Sequence, residues 1–348
     1  MNRHIASIPS DSDPHRHPAR PRPIKALCLR AAQQLVIATA RPYTLRELPG
    51  WGKIYKALVG HRRGWFWEGA AIRTTRGKLH HHVMRLDLSK WPDRSAYFLG
   101  RWYDLETQLL ASDLLGPGDT VIDVGANRGM FTLLASHLVG DAGQVIAFEP
   151  NPTCVHILED ELTANNIHNV VVHRFGLGDR GAELTMSVPF GNFGEGTFGA
   201  SAYRAELTYQ VRAAIAIGDQ ILAGENPLFI KIDVEGFECS VIAGLAATIN
   251  RLHPIILTEV IQRQLKACDS SAEALMSLMA GFGYRGFRLG LKKDGRRYRW
   301  RLAPLRPEDI ARYVAGFDVV WHHPGSDDRL SALIESHVDD ESGGAFSR

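Results

Sequence analysis

Residues 120–129, TVIDVGANRG, carry the first clear fold signal of the chain. The stretch begins with a short apolar run that predicts a buried strand, and it ends in a turn of small residues. Residues 128–139, RGMFTLLASHLV, then follow a helical pattern of apolar positions. A strand, a tight turn and a helix in this order predict the start of a βαβ unit, in which the turn faces a ligand at the carboxyl end of the strand.

The same alternation of apolar runs and helical segments continues toward the C-terminus. Asn151 is a predicted N-cap, and Pro152 stands at the first helical position. Further strands are predicted at residues 144–150, 170–179, 182–188, 227–236, 254–260, 284–289 and 317–323, with helices at 151–166, 240–252 and 271–283. The strand at 182–188 alternates in polarity and is expected to be antiparallel. The pattern predicts an α/β fold with a doubly wound, mostly parallel sheet and helices on both faces.

The charges of the 348-residue chain are distributed unevenly. The whole chain holds 40 Lys and Arg against 38 Asp and Glu, but its first 100 residues hold 18 against 6. We therefore expect a polar tail at 1–23, a basic aromatic region at 24–100, a main domain at 101–325 and a polar C-terminal tail at 326–348. The basic region is either a structural cap on the main domain or a surface that recognises an acceptor or docks, and peripheral membrane contact stays open.

Local patterns refine the basic region and the expected location. Residues 24–40 predict a helix that ends before Pro42, and residues 71–88 predict a hairpin that turns at Gly77. No apolar run is long enough to span a membrane, and the N-terminus lacks the apolar core of a secretory signal. The four cysteines are scattered without CxxC spacing, which predicts neither a zinc site nor a redox pair. A reducing, cytoplasmic location is therefore expected.

The ends of the first two main-domain strands indicate the ligand. Asp123 ends the first strand, and Gly125, Asn127 and Gly129 form a turn that is not the GxGxxG fingerprint of pyrophosphate binding. A carboxylate at this position would repel a pyrophosphate but suits an ammonium group. Glu149 ends the second strand, where a carboxylate accepts hydrogen bonds from a ribose diol. An adenosine with an amino-acid tail satisfies both carboxylates, which indicates S-adenosylmethionine (SAM).

The runs VIDVGANRG, FEPNP, GLGD, IKIDVEGFE and ILTEV together resemble the FkbM family of SAM-dependent methyltransferases. The resemblance covers residues 103–322 and implies a seven-stranded, Rossmann-like methyltransferase sheet. It implies that the loop from Asp123 to Gly129 and Glu149 bind SAM, with Pro150 and Asn151 shaping the turn. It also places Gly178 and Asp179 near the adenine, although Asp179 would equally suit a plain turn into the next strand.

Charged residues at the fourth and fifth strand ends predict the acceptor side. Lys231, Asp233 and Glu235 alternate, so they share a face wherever the chain stays extended. Glu259 ends the neighbouring strand. We predict Asp233 as the base that takes the proton of an acceptor hydroxyl, with Glu235 or Glu259 as orienting groups. An internal salt bridge of Lys231 with one of these acids is the structural alternative. No dedicated metal site is predicted, although Mg²⁺ bound through these oxygens stays open.

Other candidate site residues carry weaker signals. The resemblance implies roles on the acceptor side for Tyr103, Glu106 and Ser201. The loop at 189–201 is rich in glycine and phenylalanine, so it predicts either a lid over the acceptor or a plain connection. The run at 80–82 is three histidines, but successive strand residues point in alternating directions, which argues against a metal site.

The combined pattern predicts a SAM-dependent O-methyltransferase that acts on a hydroxyl of a sugar, a glycan or another small metabolite. Two other functions stay open: a nicotinamide-dependent oxidoreductase, against which the missing GxGxxG argues, and a non-catalytic docking module that keeps the fold. A nucleic-acid acceptor is not favoured, because no NPPY-like tetrapeptide follows the fourth strand and the main domain is acidic.

Overall fold

The computed structural model describes residues 23–190, 194–199, 207–295, 297–313 and 316–337. The N-terminal region forms a small helical unit with one hairpin. Its elements are α1 (Pro23–Leu45), α2 (Trp51–Leu58), a 3₁₀ turn (His61–Arg63), α3 (Gly64–Trp67), β1 (Ile72–Arg76), β2 (Val83–Asp87) and α4 (Trp91–Leu99).

The main domain alternates strands and helices, as the sequence predicted. Its elements are α5 (Leu105–Leu114), β3 (Thr120–Val124), α6 (Met130–Val139), β4 (Gln144–Phe148), α7 (Pro152–Ala164), β5 (Val170–His173), β6 (Gly176–Gly178), β7 (Ala182–Pro189), β8 (Thr208–Ile217), α8 (Gly218–Ile221), β9 (Phe229–Ile232), α9 (Glu238–Gly244), α10 (Ala246–Leu252), β10 (Ile255–Val260), α11 (Gln262–Ala267), α12 (Ala272–Gly281), β11 (Arg285–Asp294), β12 (Arg297–Pro304), α13 (Pro307–Arg312), β13 (Phe317–His322) and α14 (Asp328–His337).

The central sheet has the strand order β12-β11-β13-β10-β9-β3-β4-β5. Strands β5, β4, β3, β9 and β10 are parallel, and the three strands beyond β10 are antiparallel. From β3 the chain first builds outward through β4 and β5, and it later returns to place β9 and β10 on the other side of β3. This reversal between β3 and β9 is the switch point at which doubly wound sheets bind ligands. The predicted fold class is confirmed.

The strand count differs from the expected seven because residues 285–304 form two strands instead of one. In β12, arginines alternate with apolar residues, so Trp300 and Leu302 are buried while the sequence looks polar. The third predicted strand also divides. Its first part, β5, joins the central sheet, whereas β6 pairs with β8 in a separate three-stranded sheet that also contains β7. Strand β7 is antiparallel to β8, as predicted for residues 182–188.

Apolar side chains fill both faces of the central sheet. One core packs β9, β10 and β13 against α9 and α12, with Ile230, Ile256 and Leu275 fully buried. The other packs the opposite face against α5 and α6, with Leu110, Val145 and Phe229 fully buried. Helices on both faces thus bury β3, β4, β9 and β10 almost completely, as the near-continuous apolar runs of these strands require, whereas the edge strand β5 stays partly exposed.

The N-terminal region shares a core with the main domain. Trp67, Leu86 and Phe98 pack with Leu133 of α6 and Leu158 of α7. This arrangement agrees with a cap on the main domain. The predicted hairpin at 71–88 is present as β1 and β2.

Helix α1 continues through Pro42 to Leu45, although the sequence predicted an end before it. Proline removes a helical hydrogen bond, so other contacts must hold the last turn. The Arg41 guanidinium donates to the Tyr97 carbonyl at 3.1 Å, and the Thr44 hydroxyl donates to the Phe98 carbonyl at 2.8 Å. Tertiary hydrogen bonds thus extend the helix past its local stop signal.

The C-terminal segment also departs from its expectation as a tail. Residues 328–337 form α14, with Leu330 buried in the main core. The ring of His337 stacks on Trp300 at 4.0 Å, and Arg329 forms an ion pair with Asp119 at 2.8 Å. Because polar residues cover the outer side of this helix, its short apolar stripe was not recognised in the sequence.

In the part of the chain that the structure describes, no helix meets the length and hydropathy required to cross a bilayer.

A buried ion pair ties the N-terminal region to the turn after β3. Arg128 and Asp93 form this pair, and both side chains are almost fully buried. Replacing Asp93 by asparagine is expected to destabilise the protein by about 3–5 kcal/mol, because the Arg128 charge would stay buried without its partner. Urea denaturation measures the loss. In the control, Glu159→Gln breaks the exposed pair with Arg174 and is expected to cost at most about 1 kcal/mol. Equal losses for the two variants would contradict the role of the buried pair.

Candidate functional site

A cavity of about 580 Å³ lies at the switch point of the central sheet. It is lined by the residues that follow β3, β4 and β9, by the end of β10 and by β13. Because the carboxyl ends of parallel strands meet at one edge, residues far apart in sequence converge here. This convergence brings the predicted donor side and the predicted acceptor side into one space.

The turn after β3 contains residues with positive φ, a conformation that few residue types adopt easily. Gly125 has φ +80°, and a Cβ there would lie 1.9 Å from the carbonyl oxygen of Asp233. Asn127 has φ +53°, a left-handed conformation that asparagine tolerates better than most residues. Gly125 and Asn127 both line the cavity, as predicted. The turn therefore presents backbone groups to a ligand at close range.

Glu149 lies at the end of β4 with both carboxylate oxygens in use. One oxygen accepts the backbone N–H of Asn127 and the other that of Asn151, each at 2.7 Å. Burial raises the pKa of Glu149 to about 7, although these two hydrogen bonds oppose the shift. Glu149, Pro150 and Asn151 line the cavity. Each carboxylate oxygen retains acceptor capacity for a ligand hydroxyl.

The other predicted SAM-loop residues lie outside the cavity lining. Asp123 is fully buried behind it, where its carboxylate accepts the Thr132 hydroxyl at 2.6 Å. Gly129 is the N-cap position of α6 and has φ +86°. These two residues therefore support the turn, and direct contact of Asp123 with a ligand stays a prediction.

The predicted adenine residues are displaced for a structural reason. Gly178 is covered by α9, and Asp179 exchanges hydrogen bonds with Ser240 at 2.8 and 3.2 Å. Because the chain leaves the central sheet after His173, residues 178–179 do not reach the cavity. Gly176 and Leu177 line it instead. The turn interpretation of Asp179 fits this geometry.

The predicted acceptor side gathers three carboxylates. One oxygen from each of Asp233, Glu235 and Glu259 can be chosen so that all lie within 4.8 Å of one another. The Lys231 ammonium lies 2.9 Å from Asp233 and 3.9 Å from Asp123. The ion pair of Lys231 with Asp233, which the sequence offered as an alternative, is therefore present, and all three acids line the cavity.

The charged side chains of the acceptor side differ in how their surroundings shift their pKa values. Burial lowers the pKa of Lys231, but the charges of Asp233 and Asp123 outweigh it and leave the pKa raised, so the side chain is an ammonium. Burial, followed by the charge of Asp233, raises the pKa of Glu235 and of Glu259 well above the usual range. These two glutamates therefore hold protons more readily than exposed ones and can donate hydrogen bonds.

The backbone around Glu235 is held in an unusual conformation. Glu235 has φ +54°, which is uncommon for a residue with a side chain. The Thr197 hydroxyl donates to the Glu235 carbonyl at 2.9 Å, and the Gln264 side chain donates to its carboxylate. Such strained residues are maintained by their surroundings and occur most often at functional sites.

The sequence analysis missed two acids that complete the cavity wall. Asp318 of β13 stands opposite Glu259 in the register of β10, and Asp104 precedes α5. Burial raises the pKa of Asp318 to about 7 and that of Asp104 well above its usual range, with neighbouring acids adding to both shifts. A lone charged residue in the apolar strand FDVVWH was the available signal for Asp318.

An aromatic group borders the acids at the entrance to the main domain. The Tyr103 ring lies 4.9 Å from Trp91 and 4.3 Å from Trp102, and Tyr103 and Glu106 line the cavity as predicted.

Ser201 lies outside the described residues. In the glycine-rich loop, residues 194–196 and Phe198 line the cavity, whereas closure of the loop as a lid stays a prediction. The N-terminal region adds Lys90, Pro92 and Asp93 to the wall.

The three histidines at 80–82 lie in the loop between β1 and β2 and not on a strand. His80 is buried and its Nδ1 accepts the backbone N–H of His82 at 3.2 Å. Burial lowers the pKa of His80 to about 3, so its ring is neutral. Among the described residues, only the acidic group at 233, 235 and 259 has the spacing of a metal site.

Comparison with known proteins agrees with this geometry. Residues 123–286 match the methyltransferase FkbM domain. Similar solved structures include methyltransferase FkbM from Methylobacillus flagellatus (13% identity, 84% of this chain and 60% of that chain, TM-score 0.36). A second is precorrin-6y C5,15-methyltransferase from Geobacter metallireducens (14% identity, 63% of this chain and 90% of that chain, TM-score 0.35). A third is a SAM-dependent O-methyltransferase from Thermotoga maritima (13% identity, 64% of this chain and 65% of that chain, TM-score 0.34). Residues 123–286 therefore form a methyltransferase FkbM domain, the domain of a SAM-dependent methyltransferase, as the resemblance in the sequence implied.

Proposed function

We propose that this protein transfers the methyl group of SAM to a hydroxyl of a sugar, a glycan or another small metabolite. The observation that carries the proposal is the presence in one cavity of Glu149 on the donor side and of Asp233, paired with Lys231, on the acceptor side. The first suits a ribose diol, and the second suits removal of a proton from an alcohol.

The donor side fits SAM through groups that are already positioned. Gly125 leaves room for close approach of the amino-acid tail, and Glu149 offers acceptor oxygens to the ribose. Gly176 and Leu177 line the part of the cavity where an adenine would lie. When bound, SAM supplies an activated methyl group on a sulfonium, so the protein must mainly position the acceptor in line with it.

The acceptor side would remove one proton and orient one hydroxyl. Asp233 would accept the proton from the acceptor oxygen as that oxygen bonds to the methyl carbon and the bond from this carbon to the sulfonium sulfur breaks, which leaves a neutral thioether. The Lys231 ammonium, 2.9 Å from Asp233, would hold this side chain in position before the step. Glu235 and Glu259, with their raised pKa values, would donate hydrogen bonds to neighbouring acceptor oxygens. Tyr103 and Trp102, which line the cavity, offer an apolar surface for the face of a sugar ring.

The proposed function is tested by transfer of labelled methyl from SAM to a fractionated extract, followed by identification of the product. Label on a hydroxyl oxygen of a small molecule or saccharide supports it. Label on nitrogen or on nucleic acid contradicts it. The assay is run with and without EDTA, because Mg²⁺ at the three carboxylates is the alternative to a metal-free site, and loss of turnover with EDTA would favour it.

The affinity for SAM is expected to fall as the pH drops below about 7. The raised pKa of Glu149 means that its carboxyl is protonated below that value and loses acceptor capacity for the ribose. Each further pH unit then lowers the carboxylate fraction, and with it the affinity, up to about tenfold. Calorimetric titrations at several pH values measure this trend. The Glu149→Gln variant is the control and should show weak binding without this pH dependence. A flat wild-type profile would count against the assignment.

A further inference from the structure

A stripe of apolar residues runs along the outward side of α1, although it faces solvent. The residues on this side are Leu27, Ala31, Leu35, Ala38 and Pro42, all exposed and spaced three or four positions apart. Leu27 and Leu35 are 70% and 65% exposed. The inward side is apolar too, because Val36, Ile37 and Ala40 pack into the core that the N-terminal region shares with the main domain. A helix that is apolar on both sides normally has a partner on each.

Two further exposed apolar side chains lie beside α1. The Gln33 side chain donates to the Phe66 carbonyl at 2.8 Å, which brings α3 and its Trp65 against the helix. The Arg73 guanidinium donates to Gln34 at 2.7 Å, which brings the start of β1 and its Ile72 there as well. Trp65 is 65% exposed and Ile72 58%. We name Leu27, Leu35, Trp65 and Ile72 the α1 patch.

The N-terminal region that carries the α1 patch is strongly basic. Residues 23–90 hold 13 Lys and Arg against 3 Asp and Glu. Two of the three acids, Glu47 and Asp87, are partly buried, and Glu47 is paired with Lys78 and Arg101. The exposed basic residues of this part of the chain are Arg30, Arg46, Lys53, Lys56, Arg62, Arg63, Arg76 and Arg85. Helix α1 itself contains no acidic residue.

We propose that the α1 patch docks the protein on the surface of an anionic phospholipid membrane. Leucine, isoleucine and tryptophan side chains would enter the headgroup boundary, while the surrounding Arg and Lys contact lipid phosphates. Positive charge alone would suit nucleic acid equally well, but it gives no reason for the exposed apolar side chains on α1 and on the segments next to it. The proposed contact is peripheral, with apolar side chains reaching only the headgroup boundary.

Vesicle co-sedimentation of the full chain tests this proposal. Binding to vesicles of phosphatidylcholine mixed with phosphatidylglycerol is expected to exceed binding to phosphatidylcholine alone by at least about tenfold, and to weaken as salt is added. The Leu35→Glu variant should lose at least about tenfold in partitioning, because it removes an apolar contact and adds a repelled charge. The matched control is Ile221→Glu in α8, another exposed apolar residue, which should bind as the wild type does.

Three outcomes would overturn the proposal. The first is equal or absent binding to the two kinds of vesicle. The second is a dimer in analytical ultracentrifugation that Leu35→Glu dissociates, which would make a second copy of this chain the partner of the α1 patch. The third is tighter binding to duplex RNA than to anionic vesicles, unaffected by Leu35→Glu. Circular dichroism of both variants excludes unfolding as the cause, and none of these measurements requires methyl transfer.

Discussion

Replacing Glu149 by alanine is expected to weaken SAM binding by at least about 100-fold. The substitution would remove the two charge-assisted hydrogen bonds that we propose for the ribose, each worth about 1.5–3 kcal/mol. It also leaves the backbone N–H groups of Asn127 and Asn151 without their acceptor. Since Asn127 belongs to the turn after β3, the change would loosen the donor side as well as remove its ribose contact.

Isothermal titration calorimetry with SAM measures the effect of Glu149→Ala. The matched control is Asp179→Asn, which changes a carboxylate that is also near a strand end but lies outside the cavity and bonds to Ser240. The control should bind SAM within a factor of about 3 of the wild type. Comparable losses in the two variants would show that the cavity lining is not the determinant of SAM binding.

Replacing Asp233 by asparagine is expected to lower methyl transfer by about 100- to 10,000-fold, the usual contribution of a general base. The amide keeps the size of the side chain and can still bond to a neighbour, but it cannot take up a proton. Because Asp233 lies on the acceptor side, SAM affinity should change little. The expected signature is therefore a loss of turnover at nearly unchanged SAM affinity.

Transfer of labelled methyl and calorimetry on the same preparation separate these two quantities for Asp233→Asn. Glu183→Gln, which breaks an exposed ion pair with Arg212, is the control and should leave both unchanged. Full turnover in Asp233→Asn would show that Asp233 is not the base, and Glu259 would then be the next candidate among the acids of the cavity. Loss of SAM binding together with turnover would instead show that Lys231 and Asp233 mainly hold the turn after β3.

The sequence predicted much of the candidate site from acidic residues that directly follow apolar runs. Glu149, Asp233 and Glu259 each stand at the end of a predicted strand, and parallel strands bring their ends to one edge. Asp104 and Asp318 had no such signal. Thr107 and Asp318 are hydrogen-bonded although 211 positions separate them, and this contact depends on β13 returning antiparallel beside β10.

The errors have equally local causes. The resemblance places Asp179 near the adenine if residues 170–179 form one strand, whereas the chain leaves the central sheet after His173 and β6 pairs with β8. Helix α1 was ended at Pro42 because the local rule is strong, but tertiary hydrogen bonds from Arg41 and Thr44 carry it further. A residue departs from its local conformational preference where packing and distant hydrogen bonds stabilise the structure by more than the unfavourable local conformation costs.

The sequence alone determined the fold class, the methyltransferase FkbM domain and most of the acids at the strand ends. These properties depend on periodicity and on motifs within a few residues, so they are encoded locally. Only the tertiary structure decided which acids share a cavity, that Asp123 is buried behind it, and that the basic N-terminal region contributes to its wall. Such contacts depend on long-range packing and strand order, which no local stretch of sequence contains.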